Sequence, residues 1–184
     1  MCYLCETKPV YEFTNKRKVC ARCFIKWFEK KVFYTIRKFK MVGREDIIFY
    51  ENKRDFRSVV LKNVLKIFSE KVRNELYFLK KVINKKNFKI AVNDTLDITS
   101  SNIIKEIINK KINLKKHSPI VGKTIKPLYL FLDKEVLLYT KLKKLKFINR
   151  KEKEDKISNF INNIEEKHPE LKHSIVNSYL EICG

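Results

Sequence analysis

Cys2, Cys5, Cys20 and Cys23 form two Cys-x2-Cys pairs with fourteen residues between them. Each pair is a tight knuckle that aims two sulfurs at one point, and the interval is long enough to fold back as a small ribbon. That pattern suits one tetrahedral zinc ion held by four thiolates. Four buried thiols, two disulfides, an iron–sulfur centre or a redox Cys-x2-Cys use the same residue types and remain open on spacing alone.

Little else in the chain reads as catalytic. His117 lies in a basic stretch with no Cys, Asp or Glu close by, and His168 and His173 flank a helix joint near Glu165, Glu166 and Glu170. There is no Gly-x-Ser-x-Gly, no His-Glu-x-x-His and no Walker-type loop. Beyond the cysteines the chain turns basic and aromatic. Lys26, Lys30, Arg37 and Lys38 interleave with Trp27 and Tyr34, which lie off the main apolar line of a helix. Such rings can stack on bases while the cations follow phosphates.

The net charge of +21 over 184 residues points the same way. Residues 1–150 carry 37 Lys/Arg against 14 Asp/Glu, and residues 151–184 carry five against seven. A field of that size attracts polyanions, with RNA or DNA the expected partner and binding that weakens with salt. Hydrophobic residues make up 44% of the chain, which argues for a folded core and against a disordered tail. No apolar run is long enough to span a bilayer, and the chain starts directly with the knuckle. A cytoplasmic protein with reduced thiols and no membrane partner is expected, which favours zinc over disulfides.

The elements that position these residues follow from periodicity. Phe24, Phe28, Val32, Ile36 and Phe39 mark an amphipathic helix over 24–40. Ile47–Tyr50 and Phe88–Val92 read as buried strands, and residues 57–83 as a helix through Val60, Val64, Phe68, Leu76 and Leu79. A cap at Thr99 or Ser100 opens a helix through Ile108. Asp133 opens another after the Thr124–Leu128 stretch, and helices around 152–167 and 171–182 close the chain. Strand–helix alternation predicts an α/β layer on a parallel sheet.

Several stretches, in this order, resemble the cytosolic tRNA 2-thiolation family, the TtcA/TtuA-like PP-loop sulfur transferases. Cys20-Ala21-Arg22-Cys23-Phe24-Ile25-Lys26-Trp27-Phe28-Glu29 is similar to the end of the family's N-terminal zinc finger and the start of its next helix. Ile90-Ala91-Val92-Asn93-Asp94-Thr95-Leu96-Asp97 resembles its strand and GHNLDDE loop. Ile125-Lys126-Pro127-Leu128, Asp133-Lys134-Glu135-Val136 and Tyr139 resemble its KPL…EKEV segment. Glu165–Pro169 with Lys172–Tyr179 resembles its closing helix.

The departures fall on the family's chemistry. Its SGGxDS phosphate loop is replaced by Lys53-Arg54-Asp55-Phe56-Arg57-Ser58, without glycines in either possible register. Lys53, Arg54 and Arg57 stand there as loose anion contacts. Ser58 and Asp97 are the surviving nucleotide-site residues, Ile98 replacing a second aspartate. Neither position of the family's two catalytic cysteines holds one, and Cys183 is a lone terminal thiol.

The resemblance implies a zinc ribbon over 1–23, a basic linking helix over 24–44 and a reduced, Rossmann-like PP-loop ATPase domain over 45–184. It also implies a zinc-containing tRNA-binding protein. With the phosphate loop lost, a non-catalytic pseudoenzyme acting beside an intact PP-loop thiolase subunit is the expectation. An adenylating tRNA sulfur transferase with an altered ATP site, or a zinc-ribbon nucleic-acid-binding regulator, are the alternatives. The expected RNA contacts are Lys26, Trp27, Lys30, Tyr34, Arg37, Lys38, Lys53, Arg54 and Arg57.

Overall fold

The structure, a computed structural model, describes residues 1–51, 53–79, 87–110, 116–149 and 155–183. Its N-terminus is a two-stranded antiparallel ribbon, β1 (Tyr11–Glu12) and β2 (Lys18–Val19). Helix α1 (Ala21–Lys38) leaves it directly. Phe24, Phe28, Val32 and Ile36 recur every fourth residue and are fully buried, as a helix laid against a core requires. Burying each stabilises the fold by about 1.5–3 kcal/mol relative to exposure. The helix ends where Lys40 turns left-handed (φ 50°) and the Met41 N–H returns to the Ile36 carbonyl at 2.9 Å.

The body is a five-stranded sheet. β3 (Ile47–Tyr50) leads through α2 (Phe56–Val72) to β4 (Leu76–Phe78) on one side, while β5 (Phe88–Ala91) lies on the other side of β3. α3 (Leu96–Ile108) follows β5. A hairpin of β6 (Ile120–Val121) and β7 (Thr124–Ile125) then completes the order β4-β3-β5-β7-β6. All neighbours are parallel except β6 and β7, whose reversal uses Gly122 at φ 57°, where a side chain would be strained. α4 (Asp133–Leu142), α5 (Lys156–Lys167) and α6 (Leu171–Cys183) complete the chain.

The expected parallel α/β sheet is present, and two local readings are corrected. The helix expected over 57–83 stops at Val72, because Arg73 turns left-handed (φ 60°). The Asn74 amide then donates to the carbonyls of Gly43 (3.0 Å) and Asp46 (2.9 Å), so Leu76 belongs to a strand. Residues 80–83 of that expectation lie outside the described residues. α3 is capped at Thr95, earlier than Thr99 or Ser100, and both of those are buried within it.

The ribbon and the sheet share a core. Cys2, Val19 and Cys20 pack into the same buried cluster as Phe24, Phe28, Ile48, Leu61 and Phe131. Buried Glu135 joins three elements. It accepts from the Tyr11 hydroxyl of the ribbon (3.2 Å) and the Leu132 N–H at the start of α4 (3.0 Å), and faces Lys31 of α1 at 3.6 Å.

Candidate metal centre and nucleic-acid interface

The four N-terminal cysteines converge. Cys5 Sγ lies 3.6 Å from Cys2 Sγ, 3.4 Å from Cys20 Sγ and 3.6 Å from Cys23 Sγ. All four sulfurs fall within 4.8 Å of one another, and this is the one potential metal-holding group among the described residues. A tetrahedral ion with bonds of about 2.3 Å sets sulfur–sulfur edges of about 3.8 Å, so the donor set fits one ion. The Thr7 hydroxyl beside Cys20, with the Cys23 N–H, draws the Cys20 thiol down to about 6. The neighbouring sulfur of Cys5, with burial, pushes the Cys23 thiol up to about 12. The four cannot all ionise in mutual contact without a cation between them.

The ribbon and α1 are built around that point. Cys20 is the N-cap of α1 and Cys23 lies in its first turn, so two of the four sulfurs are fixed by one helix. From there Arg22, Lys26, Lys30, Tyr34 and Lys38 follow at every fourth position, all exposed, with exposed Arg37 beside them. This row runs about 24 Å along the helix. Among the described residues, Arg22, Lys26, Lys30 and Arg37 have no acidic partner. The inward-facing Lys31 and, at the C-terminal cap of α4, Lys143 are paired with Glu135 and Glu29. Arg22 is a member that sequence reasoning missed, although its four-residue spacing from Lys26 was visible.

Trp27, expected to contact RNA, is half-buried. Its ring packs edge-on against Phe13 (4.7 Å between centroids), with Lys31 4.9 Å over its face. One edge still lines a cavity of about 460 Å³ that it shares with Tyr3, Leu4, Lys26, Lys30 and Tyr34 beside the cysteines. Tyr34 is 53% exposed.

The remaining expected residues lie around the carboxyl ends of β3 and β5. Strand order reverses there, the place where open α/β sheets take ligands. Asp55 caps α2, its carboxylate accepting the Ser58 N–H at 2.9 Å. The helix N-terminus that could cradle a phosphate therefore already holds an anion. Ser58 is fully buried, and its hydroxyl donates to the Asp55 carbonyl. Arg57 is buried, not solvent-facing as expected. Its guanidinium forks onto Asp133, with Nε 2.7 Å from Oδ1, and the Thr95 hydroxyl donates to the same oxygen at 2.7 Å.

Asp97 accepts the Asp133 N–H at 2.7 Å and binds buried Lys172, which also meets Glu165 at 2.6 Å. Burial, with the Asp133 charge nearby, raises the Asp97 carboxyl above its usual range. Burial works against the Lys172 charge, yet Asp97 and Glu165 hold its pKa above the ordinary value. Lys53 is exposed and paired with Glu51 at 3.2 Å, and exposed Arg54 adopts a left-handed φ of 62°. Asp133, the hub of this network, was read in sequence as a helix start and as part of the KPL…EKEV resemblance, not as the partner of Arg57 and Thr95. The Cys183 side chain and Arg150 lie outside the described residues.

Together these elements define an α/β protein with a parallel-dominant five-stranded sheet, preceded by a four-cysteine ribbon. Among solved structures, the chain is similar to the U34-tRNA thiolase NcsA from Methanococcus maripaludis, described with its [4Fe-4S] cluster. The TM-score is 0.76 at 18% identity, over 99% of this chain and 87% of that one. The likeness is one of fold. No protein-family model matches the chain, and no curated protein matches it by sequence. No helix among the described residues is long and apolar enough to cross a membrane.

Proposed function

We propose that this protein binds tRNA through its ribbon and α1, holds a structural zinc ion on Cys2, Cys5, Cys20 and Cys23, and acts as a non-catalytic member of the tRNA 2-thiolation family. The observation that carries the reading is the exposed basic row of α1, which starts at the metal ligands and, among the described residues, has no acidic partners for Arg22, Lys26, Lys30 and Arg37. Unpaired cations at every fourth position follow a phosphate backbone without internal competition. The fold shared with a tRNA thiolase supports RNA as the polyanion.

The crowded sulfurs support zinc. A four-iron cluster puts each thiolate on a separate iron and spreads its ligands further than one ion does. A zinc ion here would fix the ribbon and orient α1, and with four protein thiolates it leaves no open position for substrate. The carboxylates filling the crevice support loss of nucleotide chemistry. Asp55 occupies the start of α2, and Asp133 occupies Arg57, so the groups that would meet phosphate are satisfied within the chain.

The rival reading, an adenylating enzyme with an altered site, has one observation in its favour. A polar cavity of about 320 Å³ remains beside Lys53, Asp94, Lys116 and Lys126. Equilibrium titration with tRNA and with magnesium–ATP separates the two. The proposal expects salt-steep tRNA binding and no measurable ATP binding, with or without tRNA. Tight magnesium-dependent ATP binding overturns the pseudoenzyme reading, and failure of tRNA to bind at low salt removes the RNA reading. Co-purification with an intact PP-loop thiolase tests the expected partner subunit.

A further inference from the structure

A sizeable cavity lies away from the ribbon face and meets the crevice at Arg54. It is a groove of about 510 Å³ between one side of α2 and the segment after α4. Its floor is apolar, formed by Val59, Leu145, Phe147 and Ile148. Phe147 is half-buried and meets Phe56 edge-on at 6.3 Å, which holds the ring in place. The segment is fixed by the Ile148 N–H, which donates to the Arg54 carbonyl at 2.7 Å.

Around that floor stand exposed Lys62 and Lys66, one helical turn apart on α2, and exposed Lys146 opposite them. Among the described residues no acid lines the groove, and these three amines have no ion pair. The volume is in the range that encloses one small molecule or one nucleotide unit.

An apolar floor with a fixed aromatic ring, under a rim of unpaired amines, matches a ligand that is planar on one side and anionic on the other. We propose that this groove takes one unstacked nucleotide of a single-stranded RNA segment, its base against Phe147 and Ile148 and its phosphates on Lys62, Lys66 and Lys146. The proposal rests on the reading that the chain binds RNA, but it concerns a different surface from α1. Stacking tolerates any base, so the groove holds a strand without reading its sequence. A second, base-inserting contact would let the protein distinguish an unpaired loop from a duplex, which the α1 row by itself cannot do.

The test is amide NMR on the full chain, titrated with uridine 5′-monophosphate, a short oligouridylate and inorganic phosphate. The nucleotide should shift Val59, Lys62, Lys66, Phe147 and Ile148, and the oligouridylate should shift the same set at about tenfold lower concentration. Phe147→Ala should weaken the nucleotide about tenfold and leave phosphate binding unchanged. The exposed double variant Lys62→Glu/Lys66→Glu should weaken both by at least about tenfold with unchanged circular dichroism.

Shifts confined to α1 or to the ends of β3 and β5 overturn the proposal, as do equal affinities for nucleotide and phosphate, or no shifts at millimolar ligand. The α1 reading fails separately. If charge reversal on α1 leaves tRNA binding intact while the groove still fills, the RNA contact lies on α2 and the α1 assignment falls.

Discussion

Replacing Arg57 with alanine separates an internal counter-ion from a phosphate contact. The Arg57 side chain is 10% exposed and its partner Asp133 22% exposed. Among the described residues, truncation leaves Asp133 with the Thr95 hydroxyl but no ion-pair partner. Breaking a buried pair costs about 3–5 kcal/mol, and water reaching Asp133 together with the surviving hydroxyl brings the expectation to about 2–3 kcal/mol. For a chain of this size that is a fall in melting temperature of roughly 4–12 °C.

Arg57→Lys should recover part of it, since an ammonium restores charge without the fork. In the double variant Arg57→Met/Asp133→Asn, removing both charges should cost less than the two single changes added together. The assay is thermal unfolding by circular dichroism, in parallel with tRNA titration. The expected result is lower stability with tRNA affinity near wild type. Unchanged melting with a clear loss of tRNA affinity would falsify the assignment of Arg57 to the crevice and return it to the RNA face.

Other consequences are as direct. Charge reversal of Lys26 and Lys30 should lower tRNA affinity and flatten its salt dependence, each lost phosphate contact removing nearly one unit from the log–log slope; a slope equal to wild type rejects the α1 interface. Cys20→Ser should lose bound metal, measured by elemental analysis as one ion per chain in wild type, and should unfold the ribbon, because structural zinc sites supply about 10 kcal/mol or more of local folding free energy. Iron with acid-labile sulfide in place of zinc refutes the single-ion reading. Acid should destabilise the fold. Burial holds the imidazoles of His117 and His173 below the ordinary value, although Glu106 opposes this at His117 and Glu135 at His173. The unfolded chain therefore takes up protons first, so stability is full above about pH 6.5 and falls as pH drops through it. Melting temperatures that do not change between about pH 7.5 and about pH 5.5 contradict this.

How much of this was legible in the sequence depended on whether a residue's role was local. The cysteine spacing placed four sulfurs together because each pair is closed by a single turn. The four-residue recurrence of Phe24, Phe28 and Val32 gave α1, and charge on its other face gave the exposed lysines. The burial of Arg57 and the packing of Trp27 were not legible for one reason: their partners are remote in sequence. Arg57 meets Asp133, 76 positions away, and Trp27 leans on Phe13 and Phe131. No local pattern announces such pairings. Leu76 misled because apolar spacing continued through a helix end set by Arg73, a residue with no intrinsic preference for a left-handed turn. The absence of glycine from 53–58 was readable. That the Asp55 carboxylate caps α2 and that Asp133 pairs with Arg57 was not.

The placement of Cys20 and Cys23 also bears on how the chain acquires its shape. Starting a helix is the slow, unfavourable part, since several dihedrals must be fixed before the first hydrogen bond forms. An ion gripping the N-cap and first turn of α1 fixes them in advance, within a loop of some twenty residues that closes on a sub-microsecond scale. The sheet, by contrast, is assembled from parallel pairings between distant segments, an intrinsically late event. Metal capture should therefore act as the nucleation step. Stopped-flow refolding with zinc withheld is expected to lose the early helical amplitude, and adding zinc late should restart the reaction from that point.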